Sequence, residues 1–185
     1  MKCMVFASRN FKEIIRDPLS WIFCVGFPIV MLVIMTVINN SIPAQAGMTL
    51  FELPKLVPGI IVFGFTFITL FTSLLVSGDR KDAFLLRIYT SPMRSSDYII
   101  GYILPLVLLA FCQCLLTVVV GLLMGIGQDF SISLKGILLL IVSSIPTVLM
   151  LVGFGLMFGA LLNYNAAPGV SSVIITFSGM LGGIW

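Results

Sequence analysis

Apolar runs and charged stretches alternate along the chain, and the runs set its architecture. Five contain no Asp, Glu, Lys or Arg: Pro18 to Ile38, Val57 to Gly78, Tyr98 to Gln128, Gly136 to Leu162 and Gly169 to Trp185. A helix needs about 20 such residues to cross a bilayer, so the first four suffice and the fifth is barely long enough. The third and fourth exceed the requirement, which predicts tilt or projection into the headgroups. The expected fold is all-α, a polytopic transmembrane bundle of five spans forming one domain over residues 1–185. The last run ends at Trp185 with no basic flank, as though the chain were cut within a span or just after one.

Composition agrees with this pattern. Hydrophobic residues make up 59% of the 185 and charged residues 9%, there is no histidine, and mean hydropathy is +1.20. Ala44-Gln45-Ala46 has the small-x-small form of a signal-peptide cleavage site, but the run before it is longer than the ~7 to 15 residues of a signal core.

The few cations give an orientation. Lys2, Arg9, Lys12 and Arg16 precede the first run, and Arg80, Lys81, Arg87 and Arg94 lie between the second and third. The other two intervening loops hold only Lys55 and Lys135. Two spans separate the basic segments, so both fall on one side, and cationic loops mark that side as the cytoplasm. The N-terminus is expected inside, together with the turn at residues 163–168.

Residues 1–17 repeat Arg9, Lys12, Glu13 and Arg16 at helical spacing, with Met4, Phe11, Ile14 and Ile15 elsewhere around the wheel. This predicts an amphipathic helix lying in the membrane interface. Asp17-Pro18 then reads as an N-cap followed by proline at the first helical position, starting a new helix through the bilayer.

Residues 79–92 hold the central charges. From Asp79 to Thr90 there is neither proline nor glycine, so about three helical turns fit before Ser91-Pro92 ends them. Phe84, Leu85, Ile88 and Tyr89 form an apolar face, with Arg80 and Arg87 a heptad apart on the opposite edge. Ser95-Ser96-Asp97 offers capping oxygens to the next span. Two readings fit: a loop that only enforces topology, or a short helix that docks in a partner's groove and passes motion to both attached spans.

Several chemistries are excluded. No G-x-x-x-x-G-K-[ST] occurs, so the chain does not hydrolyse ATP, and no nucleotide or other cofactor is expected. Cys3, Cys24, Cys112 and Cys114 form no C-x-x-C, so neither a zinc site nor a redox pair is indicated. None of the seven Asp and Glu residues falls inside a predicted span, which argues against an ion-coupled carrier and places the energy source in another chain.

Within the spans, Gly121–Gly125, Gly155–Gly159 and Gly179–Gly183 are G-x-x-x-G pairs suited to close helix packing, inside the chain or at a dimer seam. Pro28, Pro105 and Pro146 interrupt spans, as static kinks or as hinges. Thr66, Thr69, Thr72 and Ser73 share a helical face beside Phe63, Phe67 and Phe71. That face either lines a path for an amphipathic substrate or packs on a neighbour, its hydroxyls bonded to the preceding turn.

Residues 79–92, DRKDAFLLRIYTSP, resemble in unbroken register the E-R-E-x-G-T-L-x-x-L-x-x-x-P pattern after the second span of type 2 ABC transporter permeases. Asp79 stands at the first glutamate, Arg80 at the arginine, Leu85 at the leucine, Ile88 at the second apolar position and Pro92 at the proline. Lys81, Ala83 and Phe84 replace the second glutamate, the glycine and the threonine. Arg16-Asp17-Pro18 with Phe27 to Val30 is similar to the family's first span, Tyr98 to Tyr102 to the start of its third, and Ser178 to Leu181 to the serine-glycine element of its fifth. Family members continue past that element with a re-entrant helix pair and a sixth span, which this chain lacks.

The resemblance implies the membrane subunit of an ATP-driven exporter, in a bacterial plasma membrane, handling a drug, peptide or lipid-like cargo as in multidrug efflux. Its partners would be an ATP-binding cassette subunit, a second permease copy as homo- or heterodimer, and membrane lipid; no nucleic acid is expected. By resemblance, Arg80, Phe84, Leu85, Arg87 and Ile88 belong to the coupling helix received by the ATPase. The alternative is a non-transporting assembly or immunity protein that binds its partner through the same helix.

Overall fold

The computed structural model describes residues 2–41, 53–84, 94–126 and 133–181. These fold into six helices: α1 (Lys2–Arg16), α2 (Pro18–Ser41), α3 (Leu53–Lys81), α4 (Ser95–Met124), α5 (Leu134–Leu161) and α6 (Ala167–Leu181). No strand occurs among the described residues. Helices α2 to α5 are each long and apolar enough to cross a bilayer, so the protein is a helical membrane bundle. At 15 residues the described part of α6 is about 22 Å long, less than a bilayer core.

The elbow between α1 and α2 follows from Asp17-Pro18. Asp17 accepts bonds from the N–H groups of Leu19 (3.2 Å) and Ser20 (3.1 Å) and from the Ser20 hydroxyl (2.6 Å), while Pro18 needs no donor partner. Trp21 Nε1 donates to the Ile15 carbonyl at 3.0 Å, tying the last turn of α1 to the first of α2. At the head of α4 the Arg94 N–H donates to Asp97 at 3.2 Å, so Asp97 is the member of the expected Ser95-Ser96-Asp97 trio that caps.

The three prolines expected to interrupt spans, Pro28, Pro105 and Pro146, behave differently. Helices α4 and α5 continue through Pro105 and Pro146. Pro28 follows a π-helical turn, Ile22–Gly26, in which the Phe27 N–H reaches back to the Ile22 carbonyl. Proline lacks an N–H and crowds the carbonyl one turn behind it, and the widened turn accommodates that defect.

Helix α3 is the hub, packed on α2, α4, α5 and α6. Of its most apolar window 67% is buried, against 28% in α2, 44% in α4 and 22% in α5. Lipid tails are as apolar as leucine, so close packing and inter-helix hydrogen bonds hold such a bundle together. The α3–α5 seam shows both. A Cβ on Gly155 would collide with Thr72 and lie 2.8 Å from the Thr69 carbonyl, and one on Gly159 would lie 2.6 Å from Val76 Cβ and 2.9 Å from the Ser73 carbonyl. Thr69 Oγ1 donates to the Leu151 carbonyl across the seam at 3.0 Å. This G-x-x-x-G pair therefore packs within the chain, as Gly121 does against Val57.

The second span differs from its expected bounds at both ends. It runs 53–81 rather than 57–78, so Asp79, Arg80 and Lys81 form the last turn of α3 instead of opening a separate helix. The break comes at Asp82-Ala83, where Ala83 adopts φ 54° and its N–H bonds to the Arg80 carbonyl at 3.3 Å. That is the left-handed conformation which commonly ends helices and favours glycine. Ala83 stands where the pattern it resembles carries glycine.

Two outcomes follow for thermal unfolding of the purified protein. Gly155→Val and Gly159→Val should each cost about 1–3 kcal/mol through overpacking against backbone, whereas Gly153→Ala, with nothing within 4 Å of the new methyl, should be neutral or mildly stabilising. Ala83→Gly should stabilise by about 0.5–1 kcal/mol, the left-handed penalty relieved less the added chain entropy.

Candidate functional site

The charges of residues 79–81 point in two directions at one end of the bundle. Asp79, with 4% of its side chain exposed, lies one helical step beyond Val76 on the buried face of α3. A buried carboxylate is stable only when paired and hydrogen-bonded. Arg9 of α1 supplies a two-pronged ion pair, Nη1 to Oδ2 and Nη2 to Oδ1, both 2.7 Å, and the Tyr102 hydroxyl of α4 donates to Oδ2 at 2.7 Å. One carboxylate thus joins three helices.

Neighbouring groups fix the geometry. Arg9 also contacts Glu13 at 2.9 Å and donates to Asn10 Oδ1 at 3.0 Å, and its guanidinium lies 4.1 Å from the Phe84 ring centre. Fully buried Asn10 donates from Nδ2 to the Gly101 carbonyl of α4 at 3.1 Å. Phe6 meets Tyr102 edge-on (4.9 Å between centroids) and Tyr98 edge-on (6.1 Å), and stacks on Phe84 (6.3 Å). Gly101 makes room for it, since a Cβ there would collide with the Phe6 ring. The face by which α1 docks is therefore Phe6, Ala7, Asn10 and Ile14, while Met4, Val5 and Ile15 stay exposed.

Electrostatics favour the pair. Burial works against the Arg9 cation, but the hydrogen bonds and charge of Asp79 outweigh it and hold the Arg9 pKa above the usual arginine value. Burial pushes the Glu13 carboxyl up, Arg9 pulls it down, and the nearby Asp79 and Asp82 charges add to the rise.

The other two charges reach the opposite way. Arg80 donates to the Ala160 carbonyl in the last turn of α5, and weakly to Asn163 Oδ1 at 3.4 Å. A cation at that helix terminus satisfies a free carbonyl and complements the helix dipole. Lys81 Nζ lies 4.9 Å from the Tyr164 ring centre, in the turn joining α5 to α6. Between the two arms a cavity of about 370 Å³ is floored by Phe71, Leu74 and Leu75 and bordered by Asp17 and Tyr164.

A model of one protein family, described as ABC-2 type transporter, matches residues 1–185. The chain belongs to the ABC-2 type transporter family. No curated protein and no solved structure matches it. Membership makes the protein a multi-pass membrane component, the permease subunit of an ABC transporter.

Within this ABC-2 permease the residues expected at the coupling helix divide. Arg80 and Phe84 are described, and both contact their own chain: Arg80 the α5 terminus, Phe84 the α1 cluster. Leu85, Arg87 and Ile88 lie outside the described residues. Thr66, Thr69, Thr72 and Ser73 do come together, buried at 0–1% exposure. Thr66, Thr72 and Ser73 donate to carbonyls of their own helix (2.6, 2.6 and 2.8 Å), and Ser73 pairs with Ser171 of α6 at 2.8 Å. In this conformation Thr69 and Thr72 lie against α5 and Ser73 against α6.

The Arg9–Asp79–Tyr102 cluster is absent from the expected sites. Counting Asp79 as the start of a separate cytoplasmic helix hid it. Its signal was the spacing Thr69, Thr72, Ser73, Val76, which one more turn carries to Asp79.

In equilibrium unfolding, Arg9→Ala and Asp79→Asn should each cost about 2–3 kcal/mol, the buried-pair value discounted for the partial exposure of Arg9. The double variant Arg9→Met/Asp79→Leu should cost clearly less than the sum of its single variants. Glu13→Gln should be neutral or slightly stabilising, because the fold disfavours the Glu13 charge that this change removes.

Proposed function

We propose that this permease exports a hydrophobic or amphipathic molecule, driven by a separate ATP-binding subunit that grips residues 84–92, with the N-terminus in the cytoplasm. The supporting observation is the split of residues 79–81. Asp79 ties the foot of α3 to α1 and α4, and Arg80 and Lys81 tie it to the α5–α6 turn. Force applied just beyond Ala83 therefore acts on every helix that meets that junction.

Closure of the ATP-binding subunits would lever α3 and α4 together, carrying α1 through Arg9. The cavity between the arms gives the α1–α2 elbow room to move against the α5–α6 turn. With a second permease copy beside it in the membrane, α3 would part from α5 and α6 to form the path. Thr66, Thr69, Thr72 and Ser73 would then line it. Because Thr66, Thr72 and Ser73 keep bonds to their own helix, parting leaves few polar groups stranded. A path without charge suits drugs, peptides or lipid-like cargo rather than ions.

Co-purification from membranes tests this reading. Replacing Leu85, Arg87 and Ile88 together by alanine should lower recovery of the ATP-binding subunit at least about tenfold, the scale of losing one anchor cluster, with permease levels unchanged. Arg80→Ala should leave recovery nearly intact and instead reduce ATP-dependent transport in vesicles. Recovery unaffected by the triple substitution would refute the proposal.

A further inference from the structure

Gln113, in the middle of α4, is 1% exposed, and neither its Nε2 nor its Oε1 has a hydrogen-bond partner. Buried side-chain amides are nearly always bonded, and one left unpaired in an apolar interior is destabilising. The surroundings explain how it is held but not why it is there. Gly64 of α3 lies against it, and a Cβ on Gly64 would strike Gln113 Nε2 and come within 2.9 Å of Pro28 Cγ on α2. The unpaired amide thus stands beside Pro28, where α2, α3 and α4 meet.

That corner of α2 holds the complementary defect. Pro28 has no N–H, so a carbonyl of the turn behind it loses its intrahelical donor: Phe23 by the π register, Cys24 by the α register. An unpaired donor and a helix short of one donor sit at the same crossing. Polar side chains commonly bond across helices in membranes, and π-helical turns are places where a helix can change register.

We propose that Gln113 is a positioning residue of the transport cycle: its amide, unpaired here, donates to the α2 carbonyl freed by Pro28 when α2 shifts at its π-helical turn. The present state leaves the Gln113 donor and the freed α2 carbonyl both unpaired and the second state pairs them with each other, which narrows the gap between the two. The inference rests on the chain being a permease that changes conformation.

Cys24 provides the readout, since it is fully buried one turn before Pro28 on the face of α2 that carries Ser20, Pro28 and Leu32 inward. In the full-length permease alone, in lipid nanodiscs, with Cys3, Cys112 and Cys114 replaced by serine, N-ethylmaleimide labels Cys24 only when α2 moves off α3 and α4. Gln113→Leu removes both the strain of this state and the bond of the other. It should slow labelling about tenfold or more and leave the melting temperature equal or a few degrees higher. A labelling rate unchanged or faster, or a lower melting temperature, overturns the proposal. Gln113→Met gives the same comparison should the leucine variant not fold. Failure to recover any ATP-binding subunit would instead count against the transporter reading, and the labelling comparison needs no such subunit.

Discussion

Asp79 is a carboxylate with almost no access to solvent, and a charge so placed has to be matched wherever the chain can supply a match. The match comes from Arg9, 70 residues away in sequence, and from Tyr102 at the head of the next span. Helix α1 has no long apolar stretch with which to enter the bilayer. What docks it is this ion pair, the Asn10–Gly101 bond and the Phe6 cluster. These bonds fasten α1 to both α3 and α4.

The same turn of α3 gives a role to three of the four consecutive charges at residues 79–82 in a chain with so few. Successive residues on a helix project about 100° apart. Asp79 points into the bundle, and Arg80 and Lys81 point across to the end of α5 and the turn before α6. A single turn therefore contacts α1, α4, α5 and the α5–α6 turn. In this conformation the close α3–α5 seam at Gly155 and Gly159 continues that connection along the two helices.

Much of this was legible from residue patterns. Uncharged run length located the four long helices, and Asp17-Pro18 foretold the α1–α2 elbow with its capping bonds. G-x-x-x-G spacing at Gly155 marked a close contact, though spacing alone could not name α3 as its partner. What was not legible has a common physical cause. Charge was used to end the second span at Gly78, but helical geometry continues until the backbone breaks, and the break is Ala83 in a left-handed conformation. Moving that boundary by three residues turns Asp79 from a surface charge into the centre of the junction. Docking of α1 by Phe6 and Asn10 depended on the long-range pairing and on space at Gly101, which no local period encodes.

Gln113 illustrates the limit from the other side. A glutamine among leucines invites the expectation of a bonded side chain, and here the bundle buries it without one. Rigid and mobile parts of the molecule separate on this criterion. The Asp79 junction has its polar atoms satisfied several times over, as suits a part that transmits force without yielding. The α2–α3–α4 crossing has an amide without a partner beside a turn that has lost its regular hydrogen bond, as suits a part that must exist in two arrangements of similar energy. A transporter needs both: if every seam were as fully paired as that around Asp79, the bundle would have nothing to rearrange.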